Sequence, residues 1–351
     1  MRFFAGKRKR AVSGFFLMMT VLLCMSGCGR EKLHSYTLYT AFDTETNLQF
    51  YAKESDAGHI CEVFKTELER YHQLFDIYHD YKDVHNIKTI NDNAGIAPVA
   101  VDEEIINMLK LGVQIGEKSG GSMNAAMGSV LAIWHDYRMA GLNDPKAAAL
   151  PAMEELTEAA EHTDIRKLII DEENSTVYLS DPEMSLDVGA IAKGYAVAKL
   201  GELLEKEGVT SGLLDVGGNI LAIGSKKDGS LWRIALQNPD LDSEKAYIHV
   251  LGLSDTALVT SGDYQRFYTV DGKKYHHIID GDTLMPADYF TSVSVLCKDS
   301  GLADALSTAL FSMDEQSGRK LAESIGGVEV LWVYKDGHES MTDGFGDYLE
   351  E

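Results

Sequence analysis

Apolar positions recur at helical spacing through residues 57–78, where Ile60, Phe64, Leu68, Leu74, Phe75 and Tyr78 stand among charged neighbours. That pattern predicts an amphipathic helix. Residues 102–118, "DEEIINMLKLGVQIGEK", predict a second, with acidic residues in the first turn where the helix dipole favours them. The short runs "KLIID", "TVYLS" and "SLDVG" lie between turn residues and predict successive strands. "AIAKGYAVAKLGELLEKEG" returns to helical spacing and stops at Gly208, and "SGLLDVGGNI" then predicts a strand ending in a Gly-Gly turn. The result is a strand–helix–strand unit whose two strands both close on Asp-Val-Gly, at Asp187 and Asp215. "WRIALQ", "YIHVLGL", "ALVTSG" and "SVSVLC" add strands to a larger sheet, and "GLADALSTALFSM" predicts a buried helix. Helices and strands mix without strict alternation, so the expected class is α+β rather than a doubly wound sheet.

The N-terminus changes the picture of where this domain works. Arg2, Lys7, Arg8, Lys9 and Arg10 precede the apolar stretch "AVSGFFLMMTVLLCM", and no acidic residue occurs before Glu31. This is the layout of a secretory signal, too short for a membrane span. It ends in Ser26-Gly27-Cys28, which looks like a bacterial lipobox with Met25 in the usual leucine position. Small residues directly before a cysteine favour lipidation over an ordinary signal anchor, and acyl chains such as palmitate on Cys28 would hold the mature chain on a membrane. Residues 1–27 are then a cleaved leader and residues 28–35 a tether. Losing the leader's five positive charges leaves 27 basic against 55 acidic residues, so the balance moves from −23 to −28. Such a surface repels nucleic acid and anionic lipid headgroups, so any phosphate is expected to be bound locally, by a metal and backbone amides. Cys61 and Cys297 remain after processing; they form one disulfide or two buried free thiols.

Candidate chemistry gathers in three stretches. Gly189-Ala-Ile-Ala-Lys193-Gly194 is close to the start of a P-loop, but Tyr195 follows where Lys and Ser/Thr are required. A Gly-rich turn before a helix still presents free N–H groups and carbonyls, with Asp187 and Lys193 able to reach a ligand. In the last buried helix Asp304, Ser307 and Thr308 fall at i, i+3 and i+4, putting three hard oxygen groups on one face. Oxygen donors suit Mg²⁺ or Ca²⁺, although helical hydroxyls also bond back to carbonyls one turn earlier. "TSGDYQRFY" and "HHIID" add a Ser-Gly turn and the pair His276 and His277, of which a strand would pack one ring inward and leave the other exposed.

Taken in order and spacing, "LDVGAIAKGYAV", "LLDVGGNI", "TSGDYQRFY", "HHIID" and "ADALSTAL" resemble the FAD:protein FMN transferase (ApbE) family, lipoproteins once linked to thiamine biosynthesis. The resemblance implies one domain over residues 36–345, with mixed sheets and flanking helices around an FAD cleft. It also implies Mg²⁺ on the pyrophosphate, held by the Ala190 carbonyl, Asp304, Ser307 and Thr308. The implied FAD contacts are Tyr78, Ser122, Met123, Asn124, Asp187, Lys193 and Ile279. Phe42 joins them, because Phe42-Asp43-Thr44 stands where the family has Met-Gly-Thr. Asn124 occupies a position where Asp is common, and "DGDTLMP" replaces the family's Asp-Pro-x-Thr-Gly-x-Pro turn.

The activity so implied is transfer of FMN from FAD to a Thr or Ser hydroxyl of a membrane-associated acceptor protein, with release of AMP. Hydroxyl attack on phosphorus needs neutralised charge, in-line positioning and a proton acceptor. His277 is the expected acceptor, with Asp187 or Asp263 as substitutes. Water in place of the hydroxyl would make the protein an FAD pyrophosphatase yielding FMN and AMP, and a flavin-binding lipoprotein without chemistry would release no AMP. The chain contains no Ser/Thr-Gly-Ala-Thr/Ser acceptor stretch, so it is not expected to flavinylate itself.

Overall fold

A computed structural model of the protein describes residues 30–350; the predicted leader and Cys28 lie outside the described residues. Eight strands make one antiparallel sheet: β1 (Lys32–Leu38), β2 (Thr46–Ala52), β3 (Gly212–Val216), β4 (Asn219–Ile223), β5 (Thr256–Gly262), β6 (Ser292–Cys297), β7 (Glu329–Val333) and β8 (Glu339–Met341). Their order across the sheet is their order along the chain, and every neighbouring pair is antiparallel. Between β2 and β3 the chain leaves the sheet to build six helices: α1 (Glu54–Phe75), α2 (Ile87–Asp92), α3 (Glu103–Lys118), α4 (Gly128–Asn143), α5 (Met153–Ala160) and α6 (Ala192–Lys206). Helices α7 (Ser300–Phe311) and α8 (Glu315–Ile325) fill the connection from β6 to β7.

Alternation along the central strands divides the core in two. Ala257, Val259, Val293, Val295, Val330 and Trp332 point to the helices, packing with Phe64 and Leu68 of α1, Ile105 of α3, Val197 of α6 and Leu306 of α7. Leu258, Leu296, Leu331 and Val333 point the other way, to a second cluster with Trp232, Ile234, Leu236, Leu251 and Leu253. Burial on both faces explains why "ALVTSG" and "SVSVLC" hold only apolar and small uncharged residues, with the hydroxyls of Thr260 and Ser294 bonded to each other.

The expected helices over 57–78, 102–118, 190–208 and 301–313 correspond to α1, α3, α6 and α7. Helix α3 starts on Asp102, whose side chain accepts the Glu104 N–H, and α6 ends on Gly208 at φ +87°. There Gly208 N–H reaches Glu205 O and Val209 N–H reaches Leu204 O, a Schellman stop that needs the left-handed residue. The β3–β4 hairpin likewise turns on Gly217 and Gly218, both at positive φ.

Three expectations are corrected. The tether expected over residues 28–35 ends earlier, because Lys32–Ser35 already pair with Ala52–Gln49 as the start of β1. "SLDVG" is no strand: Ser185 makes a single bridge to Met127, Leu186 N–H donates to Asn91 Oδ1, and Asp187 N–H donates to Ala125 O. Its backbone is satisfied by three different partners instead of a ladder, so only the second half of the expected strand–helix–strand unit, β3, lies in a sheet. "WRIALQ" and "YIHVLGL" pair with one another as a separate two-stranded ribbon rather than extending the large sheet. Trp232, Ile234 and Leu236 alternate with exposed positions, so the ribbon buries one face, and that face covers the outer side of β4–β7. Cys61 and Cys297 are free and buried, so they form no disulfide.

The remaining strands make two smaller sheets. Val99–Ala100, Thr176–Leu179 and Leu168–Asp171 form one. Phe267–Val270 and Lys273–His276 form a hairpin whose Tyr268 packs with Met127, Val130 and Trp134 of α4 and the loop before it. Among the described residues no helix is long and apolar enough to cross a membrane.

Candidate active site

Between this hairpin and the helix layer lies a cleft of about 850 Å³. Its floor is the turn from Asp187 into α6. Asp187 Oδ1 accepts the Gly189 N–H at 2.8 Å, which bends the chain and leaves Oδ2 free. The N–H of Gly194, in the first turn of α6, donates to Asp304 Oδ2 on α7 at 2.7 Å. An ideal helix would send that N–H to the carbonyl four residues back, on Ala190. No backbone N–H among the described residues donates to that carbonyl. One carboxylate thus caps the helix from outside, and the carbonyl that would have received this N–H is left without a backbone donor. Gly194 makes the arrangement possible, since a Cβ there would lie 2.3 Å from both Asp304 Cβ and Ser300 O.

Asp304, Thr308 and Ala190 all line the cleft. Burial pushes the Asp304 carboxyl up from its ordinary range, opposed by Lys193 and the Gly194 N–H. Ser307 is placed differently: it is fully buried, donates to Asp304 O at 2.9 Å, and receives Ser261 Oγ at 2.8 Å. Ser261, not Ser307, lines the cleft. One carboxylate, one hydroxyl and one carbonyl are hard donors, and no group of three His, Cys, Asp or Glu side chains able to hold a metal occurs among the described residues. Such a set fits Mg²⁺, which takes few protein ligands and completes its shell with water and substrate phosphate oxygens.

His277 comes from the end of the hairpin and lines the cleft. Its Nδ1 lies 3.3 Å from the Arg266 carbonyl. A carbonyl can only accept, so Nδ1 carries the proton and Nε2 is left with a lone pair. Burial, with Arg266 and Arg138 nearby, lowers its pKa from 6.5 to about 3. His276 is structural: its Nε2–H donates to Ala287 O at 2.8 Å, and its ring meets Phe311 edge-on. Asp263 is not among the cleft-lining residues and is paired with Lys335 at 2.9 Å, which removes it as a substitute base.

The other expected contacts converge on the same space. Phe42, Tyr78, Ser122, Met123, Asn124, Asp187, Lys193 and Ile279 all line the cleft. Phe42 and Asp43 sit at φ +55° and +50°, so the chain keeps a left-handed turn where the family's glycine would adopt it without strain. Asn124 spends its side chain on the loop itself, donating to Thr163 O and accepting the Ala126 N–H, each at 2.9 Å. An aspartate could not make the first of these bonds. Tyr78 OH lies 3.4 Å from His135 Nδ1.

Three cleft residues were missed by the sequence reading. Asn219 is buried, lines the wall, and its Oδ1 has no partner, an acceptor that a ligand N–H or O–H would satisfy. Arg138, on α4, and Arg266, before the hairpin, add positive charge beyond the metal and amides expected. Asn219 and Arg266 stood inside quoted motifs, "LLDVGGNI" and "TSGDYQRFY"; nothing in "HDYRMAG" distinguishes Arg138 from a solvated helix residue.

The ApbE family model matches residues 42–332. The FAD:protein FMN transferase of Treponema pallidum (strain Nichols) is 31% identical over 351 residues, covering 94% of this chain and 93% of that protein. That of Vibrio cholerae (strain O395) is 27% identical over 337 residues, covering 95% and 96%. Among solved structures, the ApbE protein of Thermotoga maritima matches with a TM-score of 0.80 at 27% identity, over 91% of this chain and all of that one. The flavin transferase ApbE of Vibrio cholerae matches with a TM-score of 0.77 at 26% identity, over the same shares. The family model covers most of the chain and the solved structures share its fold, so the chain belongs to the ApbE family.

Proposed function

We propose that this protein transfers FMN from FAD to a Ser or Thr hydroxyl of an acceptor protein, releasing AMP, with Mg²⁺ at the pyrophosphate. The observation that carries this reading is the junction of α6 and α7. Asp304 caps Gly194 and leaves the Ala190 carbonyl free, in one cleft with an unprotonated His277 Nε2. Asp304, Thr308 and Ala190 O would hold the cation, which supplies neutralisation of the pyrophosphate charge. Lys193, in the first turn of α6, adds a point charge toward the same phosphates. His277 Nε2 takes the proton of the acceptor hydroxyl as its oxygen bonds the FMN-side phosphorus. The bond from that phosphorus to the bridging oxygen breaks, and that oxygen leaves with AMP. Tyr78, Phe42 and Ile279 offer apolar surface for the flavin or adenine rings, and Asn219 Oδ1 an acceptor for a ligand N–H or O–H.

We further place the mature protein on the outer face of a bacterial cell membrane, held by acyl chains on Cys28, where its acceptor is also membrane-associated. The basic leader and the lipobox-like Ser26-Gly27-Cys28 support this. The test of the activity is mass spectrometry of a candidate acceptor after incubation with this protein, FAD and Mg²⁺, with AMP measured in parallel. Covalent flavin on the acceptor supports transfer, AMP without it means hydrolysis, and neither means a binding protein.

A further inference from the structure

In a chain with 55 acidic and 32 basic residues, arginines find carboxylates easily. Arg70, Arg166, Arg233 and Arg319 each pair with an Asp or Glu. Arg138 and Arg266 do not. Among the described residues Arg138 bonds only His135 Nδ1, at 3.1 Å, and the Arg266 guanidinium has no hydrogen-bonded partner, yet both line the cleft. They lie close enough to repel: burial and the nearby Arg266 both depress Arg138 from its ordinary value. Asp187, in the same cleft, is near enough for both arginines to favour its charged form but forms an ion pair with neither, so Arg138 and Arg266 keep donors for an anion that both can grip.

The positions of the charges say which anion. The Arg266 carbonyl accepts the His277 Nδ1–H at 3.3 Å, and α4, which carries Arg138, packs on the hairpin that leads into His277. Asp304 and Lys193 belong instead to the junction of α6 and α7. The arginines therefore stand on the His277 side of the cleft, and the cation donors on the α6–α7 side. A base that deprotonates the incoming hydroxyl must face the attacked phosphorus, which is the FMN-side phosphate. The AMP-side phosphate is one bridging oxygen further away.

We propose that Arg138 and Arg266 form a two-arginine clamp on the FMN-side phosphate of FAD, gripping it from the His277 side of the cleft. Their planar forks match phosphate oxygens, and charge on those oxygens persists as phosphorus passes from one oxygen to the other. Which phosphate is gripped rests on the transferase reading; that a phosphate is gripped is testable by binding alone.

The experiment measures affinities of the full-length chain for FMN, riboflavin, AMP and adenosine in EDTA, so that no divalent cation contributes. The unaltered protein is expected to prefer FMN to riboflavin. Arg138→Gln and Arg266→Gln should each lower that FMN-to-riboflavin ratio by roughly tenfold, the scale of a charge-assisted hydrogen bond. Arg138→Lys and Arg266→Lys should retain part of it, and the AMP-to-adenosine ratio should not move. Because riboflavin reports on the same pocket in the same sample, the ratio is independent of how much variant folds. An unaltered chain indifferent to the phosphate, an unchanged ratio in both Gln variants, or a loss confined to AMP over adenosine would each overturn the clamp. Failure of the transferase reading shows separately, as no flavin transfer by the unaltered chain.

Discussion

Asp304 has two tasks that a single substitution can separate. It caps Gly194 and it offers charge to a cation. Asp304→Asn keeps an oxygen for the Gly194 N–H but removes the charge, so stability should stay near that of the unaltered protein. Transfer should fall ~1000-fold or more, since a cation site worth several kcal/mol of transition-state stabilisation is lost. Asp304→Ala should lose both. Thr308→Val removes a neutral donor and should cost less, appearing mainly as a higher Mg²⁺ requirement. Turnover titrated against Mg²⁺ and normalised to folded protein checks all three; normal Mg²⁺ dependence in Asp304→Asn would contradict the assignment. His277 makes a second prediction. With its pKa lowered from 6.5 to about 3, it is already an unprotonated base at pH 5. The pH–rate profile at saturating Mg²⁺ should therefore show no limb near 6.5 from this residue. The unfolded chain binds this proton more readily than the folded one between those values. Stability contributed by keeping His277 neutral is thus complete above about pH 6.5 and lost as pH falls toward 3. An acid limb near 6.5 that disappears in His277→Gln would contradict the assignment of His277 as a base held neutral.

Helices α6 and α7 meet where Gly194 has no side chain, and this contact places the site. Gly194→Ala would add a Cβ 2.3 Å from Asp304 Cβ and Ser300 O, forcing the helices apart. Overpacking should cost about 1–3 kcal/mol despite alanine's better helix propensity. Gly58 on α1 is the control, because a Cβ there meets nothing within 4 Å. Gly58→Ala should stabilise by about 0.5–1 kcal/mol. Denaturant unfolding of the two variants measures the difference, and equal effects would mean the α6–α7 contact is not tight. The same elements show what a sequence can carry. Helices α1, α3, α6 and α7 were legible because their periodicity is local, and α3 and α6 also carry their own stop or start signals. "SLDVG" was misread because strand-like alternation does not reveal whether a ladder partner exists. "WRIALQ" was read as a strand of the wrong sheet because alternation fixes which face is buried, not what covers it. Asp304 and the 187–194 turn were visible as motifs, but their meeting depends on a helix contact between residues 110 apart. Arg138 had no local signal, and Asn219, although inside the quoted "LLDVGGNI", could not be singled out, since its unpartnered Oδ1 exists only in the folded cleft.

Over the whole molecule, an acidic surface surrounds a cleft that gathers Lys193, Arg138 and Arg266. The cleft lining also includes six aspartates, so anionic FAD is met by individual cationic side chains rather than by a positive surface. The eight-stranded sheet and its helix layer form the rigid support, and the hairpin with α4 supplies the opposite wall. The few residues between Cys28 and β1, which already pairs with β2 from Lys32 onward, would join this body to the membrane. Cys28→Ala should therefore move the protein from the membrane to the soluble fraction with FAD binding intact, and unchanged fractionation would contradict the anchor. The most direct measurement is the intact mass of an acceptor protein and of this chain, both denatured after incubation with FAD and Mg²⁺, with AMP quantified alongside. The predicted result is an acceptor heavier by one phosphoester-linked FMN, an equimolar yield of AMP, no addition to this chain, and loss of the product in EDTA. AMP formed while the acceptor mass stays unchanged, or flavin bound covalently to this chain itself, would contradict it.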